Sequence, residues 1–163
     1  AGAAGAALSG AVRPQSDEVG ERAVEIARNW LGTPYRHQAA MRGAGADCLG
    51  LIRGVWRELY GVEPERVPAY SPDWSCPDAR ETLLEAAERH MRRRSSAEAG
   101  AVGDVLLFRV RERGAARHLG IAAMRADGPS FIHAMCGHGV IESALTHAWA
   151  RRVVARFTFP RGS

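Results

Sequence analysis

A thiol, an acid and two imidazoles stand at positions from which they could do chemistry together. Cys48 follows Asp47 at the end of a glycine-rich run, in "GAGADCLGLIRGVWRELYG" (43–61). Behind it, Leu51, Ile52, Val55, Trp56 and Leu59 recur at helical spacing, which puts Cys48 in the first turn of an amphipathic helix. A helix start presents unpaired N–H groups and partial positive charge. Both favour thiolate over thiol, so the position predicts a lowered Cys48 pKa. The same N–H groups suit an oxyanion. Acyl transfer through a thioester also needs a base and a group that orients the base. His118 opens the run "HLGIAAM" and His133 lies in "SFIHAM", with the turn signal "RADGPS" between them. If these runs pair as strands, the two rings become neighbours on one face. Alternation lets that face be the one packed on the helices, where Cys48 lies. A cysteine at a helix start is also a common small buried residue, and a strand histidine a common core residue. The residues alone leave both readings open.

Other groups point less clearly to chemistry. His133, Cys136 and His138 form "HAMCGH", but strand alternation sends His133 and Cys136 to opposite faces and no fourth ligand stands nearby, so no metal is expected. No glycine-rich phosphate loop is present, and no organic cofactor is expected. The three cysteines, Cys48, Cys76 and Cys136, contain no CxxC pair, and their odd number leaves at least one thiol free. Cys76 and Cys136 read as structural or incidental thiols, and His138 receives no role. His37 either rims a cleft or is a solvated loop residue. His90 and His147 have no catalytic context. "RHMRRR" (89–94) lacks interleaved aromatics, so it reads as a solvated helix end rather than a nucleic-acid surface.

The elements that must position these groups follow from periodicity. The 163 residues, 46% hydrophobic and 25% charged, suit one domain with its own core. Net charge is +4, carried on arginine alone, since the chain has no lysine. That balance fits an anionic partner, and equally an arginine-rich codon usage. No apolar run approaches the roughly 18 residues of a membrane span, so no membrane insertion is expected. Residues 1–15 lack the leading positive charge of a secretion signal and read as a flexible lead-in, with the final Gly-Ser as a cloning scar. Ser16 and Asp17 can cap a first helix that ends near Leu31, where Gly32 and Pro34 stop it. "TPYRHQAAMRGAGA" reads as loop. The Cys48 helix ends at Gly61, and Gly50 and Gly54 allow close approach to a neighbour. "DARETLLEAAERHMRRR" reads as a third helix. From residue 103 the chain turns β-rich, with "GDVLLFRV", "HLGIAAM", "SFIHAM", "GVIES" and "RRVVARFTF" expected as a meander. Helices first and antiparallel strands second give an α+β class, the helices on one face of the sheet.

Three segments carry a resemblance. "WLGTPYRHQAAMRGAGADCLGLIRGVWRELYG", "GDVLLFRVRERGAARHLGIAAM" and "FIHAMCGHGVIES" resemble the NlpC-type cell-wall cysteine peptidases, in the form carried by phage tails and gene transfer agents. The likeness implies a papain-like α+β fold over residues 16–160, with 62–100 as a lineage-specific insertion. It implies Cys48 as nucleophile, His118 as base and His133 as the third polar residue. Tyr35, from "GTPY", would lie over the nucleophile, and Asp47 would bind the free amino end of a peptide stem. The implied substrate is a peptidoglycan stem peptide, cut between D-glutamate and diaminopimelate. The implied partners are tail or baseplate proteins of a phage-like particle acting at the cell wall. An amidase or acyltransferase on the same fold, or a mainly structural tail component, is the alternative. Leu49 departs from the serine that many relatives carry after the cysteine.

Overall fold

The computed structural model describes residues 16–70, 82–111 and 114–161. The expected lead-in (1–15), Cys76 and the closing Gly-Ser lie outside the described residues, as do the side chains of Ser16 and Asp17. Helix α1 (Ser16–Asn29) buries Ala23, Val24, Ile26 and Ala27, the stripe that its apolar period specifies. It meets α2 (Cys48–Tyr60) through Trp30, which is buried where the chain leaves α1. A methyl at Gly54 would stand 2.1 Å from the Trp30 ring, so glycine sets this approach. The Trp30 indole N–H donates to Glu58 Oε2 at 2.7 Å and so remains satisfied inside the core. Gly61, at φ 90°, ends α2, and its N–H returns to the Arg57 carbonyl.

The loop expected between these helices contains a two-residue hairpin, β1 (Ala40–Met41) with β2 (Gly45–Ala46). Its function is local: Arg36 N–H donates to the Ala46 carbonyl at 3.1 Å and Ala46 N–H to the Pro34 carbonyl at 2.9 Å, which seats Tyr35 beside the start of α2. Helix α3 (Thr82–His90) follows. The basic run after it is not a solvated helix end. Arg92–Arg93 form a short strand, β3, and Arg94 is drawn in to the buried carboxylate of Asp104 at 2.8 Å, which needs a charged partner there.

The main sheet comprises β3, β4 (Val105–Phe108), β5 (His118–Arg125), β6 (Gly128–Met135), β7 (Gly139–Ala144) and β8 (Val153–Thr158). Every pairing is antiparallel, and the order is β3-β8-β4-β5-β6-β7. Strands β4 to β7 form the expected meander. The last strand departs from it by returning between β3 and β4. Alternation gives the sheet two apolar faces. Leu107, Leu119, Ile121, Ile132 and Ala134 pack with α1 and α2. Leu106, Phe108, Ala122 and Phe131 pack on the other face with Leu145 and Trp149, the latter from the one-turn helix α4 (His147–Ala150).

Candidate active site

Asp47 builds the start of α2 and thereby places Cys48. Its Oδ1 accepts from the Gly50 N–H at 2.7 Å, an N-cap bond that satisfies one orphan donor of the first turn. Gly50 is required at that turn, since a methyl there would lie 1.8 Å from the Ala39 carbonyl oxygen. The Cys48 thiol, 7% exposed, donates toward the Arg117 carbonyl at 3.7 Å. Arg117 directly precedes His118, so the sulfur sits over the beginning of β5. Cys48 and His118 line one open cleft of about 350 Å³, together with Tyr35, Ala134, Cys136 and Trp149.

The histidines do meet, though not on the helix side. Residues 121 and 132 are opposite one another in the β5–β6 ladder, and a Cβ on Gly120 would lie 3.4 Å from the His133 Cβ. Glycine at this position leaves the space across from His133 open to an imidazole. His118 Nε2 lies 2.7 Å from His133 Nδ1. Both rings belong to the face of Phe108, Phe131 and Trp149: His118 is 5.7 Å from the Phe108 ring and 5.9 Å from that of Trp149, and His133 is 4.2 Å from that of Phe131. The reason is alternation. Leu119 and Ile121 take the helix face, so 118 and 120 must take the other. The sulfur and His118 share a cleft at the beginning of β5 rather than a face of the sheet.

A fourth group extends the chain. His133, completely buried, has its Nε2 2.8 Å from Ser143 Oγ. Ser143 is opposite Phe131 in the β6–β7 ladder, and Ile141 is opposite His133, so serine and histidine are diagonal neighbours on one face. Sequence reasoning missed Ser143, because that diagonal depends on a three-residue turn (136–138) whose register no motif announces. Cys136 is exposed in this turn while His133 is buried.

Burial sets the protonation of these groups. Desolvation lowers His118 to about 4 and His133 to about 3, the latter also by the neighbouring His118. The lowered thiol pKa expected from the helix start is reversed. Burial pushes Cys48 up to about 12, the Asp47 carboxylate adds to this, and hydrogen bonds from the backbone of Leu119, Leu49 and Cys48 oppose it. Loss of water outweighs the partial charge of a helix end when the sulfur is almost closed off. The resting pair is therefore thiol and neutral imidazole. Tyr35 is raised to about 12, first by burial, and remains a hydroxyl donor at the cleft.

On the far side of Cys48, Asp47 Oδ2 accepts from the Gln38 N–H at 2.7 Å and from the Tyr70 hydroxyl. The Tyr70 carbonyl is held in turn by Gln38 Nε2 at 2.6 Å, and His37 Nε2 lies 2.7 Å from it. His37 thus belongs to this network. Tyr70 and Gln38 were not legible as site residues, since neither lies in a motif. Among the described residues no group of three or more His, Cys, Asp or Glu side chains is placed to hold a metal ion.

The sequence pattern of the NlpC/P60 family matches residues 32–158. The chain belongs to the NlpC/P60 family. It is 27% identical over 146 residues to the murein DD-endopeptidase MepS/murein LD-carboxypeptidase of Escherichia coli K12, an overlap of 85% of this chain and 65% of that protein. The chain thus spans just under two thirds of the length of its curated relatives. Two solved structures share the fold. A lipoprotein-like protein of the NLP/P60 family from Staphylococcus aureus superposes with a TM-score of 0.55 at 22% identity, over 89% of this chain and 43% of its own. NlpC1 from Trichomonas vaginalis gives 0.57 at 18% identity, over 91% of this chain and 45% of its own. The NlpC/P60 architecture here is α+β and papain-like, with the helices packed on a mostly antiparallel sheet.

Proposed function

We propose that this chain is a cysteine endopeptidase that hydrolyses peptidoglycan stem peptides, at the bond between γ-D-glutamate and diaminopimelate. The observation that carries this reading is the shared cleft of Cys48 and His118, with the His118–His133 contact of 2.7 Å behind it, in a chain of the NlpC/P60 family. The murein activities in the name of the Escherichia coli relative support the same substrate class.

The proton inventory gives the mechanism. If His133 donates from Nε2 to Ser143, its Nδ1 accepts from His118 Nε2–H, and His118 Nδ1 is left as the base for the thiol. In this arrangement one proton moves from Cys48 to His118 and no other proton has to move. The sulfur then adds to the scissile carbonyl. Cys48 N–H and the Tyr35 hydroxyl stabilise the oxyanion. His118 returns its proton to the leaving amine, a thioester remains, and water activated by the same imidazole hydrolyses it.

Residues 16–160 act as one peptidase domain, with 62–100 as its lineage-specific insertion. The setting is the tail of a phage-like particle or gene transfer agent that opens the wall during DNA delivery; the resemblance of the motif segments supports it. Digestion of purified sacculi by the wild type and by Cys48→Ala, with product masses read out, tests the activity. Fragments ending at γ-D-glutamate, absent with Cys48→Ala, are expected. Identical products from the two proteins overturn the reading, and fragments from a sugar–peptide bond replace it with an amidase.

A further inference from the structure

The two oxygens of the Asp47 carboxylate have different tasks. Oδ1 accepts from the Gly50 N–H at 2.7 Å, the bond of a helix cap to the third residue of its helix. Oδ2 belongs to a closed circuit of three residues. It accepts from the Gln38 N–H at 2.7 Å and from the Tyr70 hydroxyl, and Gln38 Nε2 donates to the Tyr70 carbonyl at 2.6 Å. Each member thus holds the other two. Gln38 keeps φ +60° here, a left-handed conformation that a residue with a side chain holds only where its surroundings fix it. His37 closes on the same group. Its Nε2 lies 2.7 Å from the Tyr70 carbonyl, and its ring stands edge-on to the Tyr70 ring at 5.0 Å.

The circuit matters because of what an unheld Oδ2 would do. A capping side chain accepts from the second or the third N–H of its helix. The third, on Gly50, is taken, and the second is that of Leu49. Hydrogen bonds from the backbone of Leu49 and of Cys48 itself to the Cys48 sulfur oppose the rise of its pKa, whereas the Asp47 charge adds to that rise. A carboxylate released by Tyr70 would therefore turn onto the sulfur's own donors. It would compete in the same way with an oxyanion formed beside the sulfur. The hydroxyl that prevents this comes from 23 positions along the chain, in a segment that no motif marks.

We propose that Tyr70 is a positioning residue for the nucleophile: its hydroxyl holds Asp47 Oδ2 away from the first turn of α2, so that the N–H groups of Cys48 and Leu49 serve the sulfur and the oxyanion. The role rests on the cysteine-peptidase reading above. Tyr70 acts through Asp47 and touches no substrate.

The test is a double-mutant cycle of Tyr70→Phe and Asp47→Asn, alone and together, in the full chain with Cys76 and Cys136 replaced by serine. Phenylalanine keeps the ring and removes the hydroxyl. Asparagine keeps the cap, and an amide nitrogen in the place of Oδ2 accepts from no N–H. Two rates are read: hydrolysis of soluble muropeptides, and alkylation of Cys48 by iodoacetamide, which needs no substrate. Tyr70→Phe is expected to lower kcat about 5- to 30-fold with KM within about twofold, and to slow alkylation about 3- to 10-fold, the scale of one hydrogen bond to a charged group. With Asp47→Asn in place, Tyr70→Phe should change either rate by less than about twofold. Alkylation of Tyr70→Phe within about twofold of the wild type overturns the proposal, as do equal losses in both Asp47 backgrounds, which a role in folding alone would give. If the wild type leaves muropeptides intact, the peptidase reading fails. The alkylation cycle then decides this one by itself: a slowing that Asp47→Asn abolishes upholds it, and any other result overturns it.

Discussion

Two buried polar networks stand near Cys48, one sharing its cleft through His118 and the other starting at its neighbour Asp47, and they are held by opposite means. The chain His118–His133–Ser143 is kept neutral, walled by Phe108, Phe131 and Trp149, so that each ring has a hydrogen-bond partner but little water. Asp47 keeps a carboxylate inside the fold by surrounding it with N–H and O–H donors from the 37–38 loop, the first turn of α2 and the 62–70 segment. The first arrangement holds its rings in place while His118 is left to take up a single proton. The second ties three stretches of chain together and leaves little room to move. The proposed chemistry belongs to the imidazole side, and the carboxylate side is mechanical support.

The comparison breaks most visibly if both sides respond alike to truncation. His118→Ala should lower kcat/KM by about 10²- to 10⁴-fold, the range for a general base, with a smaller fall in melting temperature than Asp47→Ala. Asp47→Ala strands buried donors and removes a helix cap, so roughly 2–4 kcal/mol of stability should go, with a melting temperature lower by roughly 5–15 °C. Calorimetry and kinetics on the two variants give the contrast, and it fails if His118→Ala melts lower than Asp47→Ala.

Ser143 sharpens the picture next. Ser143→Ala removes the hydrogen-bond partner of His133 Nε2 and should lower kcat about tenfold with KM unchanged, while Ser143→Thr, which keeps the hydroxyl, should recover most of it. A change in KM alone would remove Ser143 from the support of the base.

Acid then tests the imidazole network. His118 and His133 titrate near 4 and 3 in the fold, below the ordinary imidazole value of about 6.5 that the unfolded chain keeps. Between those values the unfolded state binds more protons. Stability from keeping these rings neutral is therefore full above about 6.5 and is lost as pH falls toward 4 and 3. Denaturant midpoints measured from pH 7.5 to 4 should fall, and the fall should shrink in His133→Gln.

The last test concerns the sulfur. With Cys76 and Cys136 replaced by serine, alkylation of Cys48 by iodoacetamide should speed up about tenfold per pH unit from 7 to 9, as a protonated thiol requires. A rate flat over that range would mean a standing thiolate–imidazolium pair, and the aromatic wall would no longer count as a device for neutrality.

Much of this was legible along the chain, for reasons that are local. The apolar period marks α2, Gly61 ends it, and the "RADGPS" turn makes β5 and β6 neighbours. What stayed hidden depends on distance in sequence. The return of β8 between β3 and β4 leaves no trace in either strand's own pattern. Arg94 looks solvated until Asp104 is placed beside it by folding. The side of the sheet taken by His118 follows from its own alternation with Leu119, but only once the face covered by the helices is known. The raised thiol pKa had no local sign, because a helix start announces its dipole and not its burial.

That returning strand has a consequence for how the molecule is made. The β4–β7 meander can assemble as soon as residue 144 exists, whereas Arg92–Arg93 and the outer edge of β4 have no sheet partner until 153–158 emerge. A nascent chain therefore carries an open edge from the emergence of β4 until that of β8, the kind of surface that recruits a second strand from another molecule. Chains broken off shortly before Val153 should aggregate rather than merely lose activity, because what they lack is the strand that closes the gap.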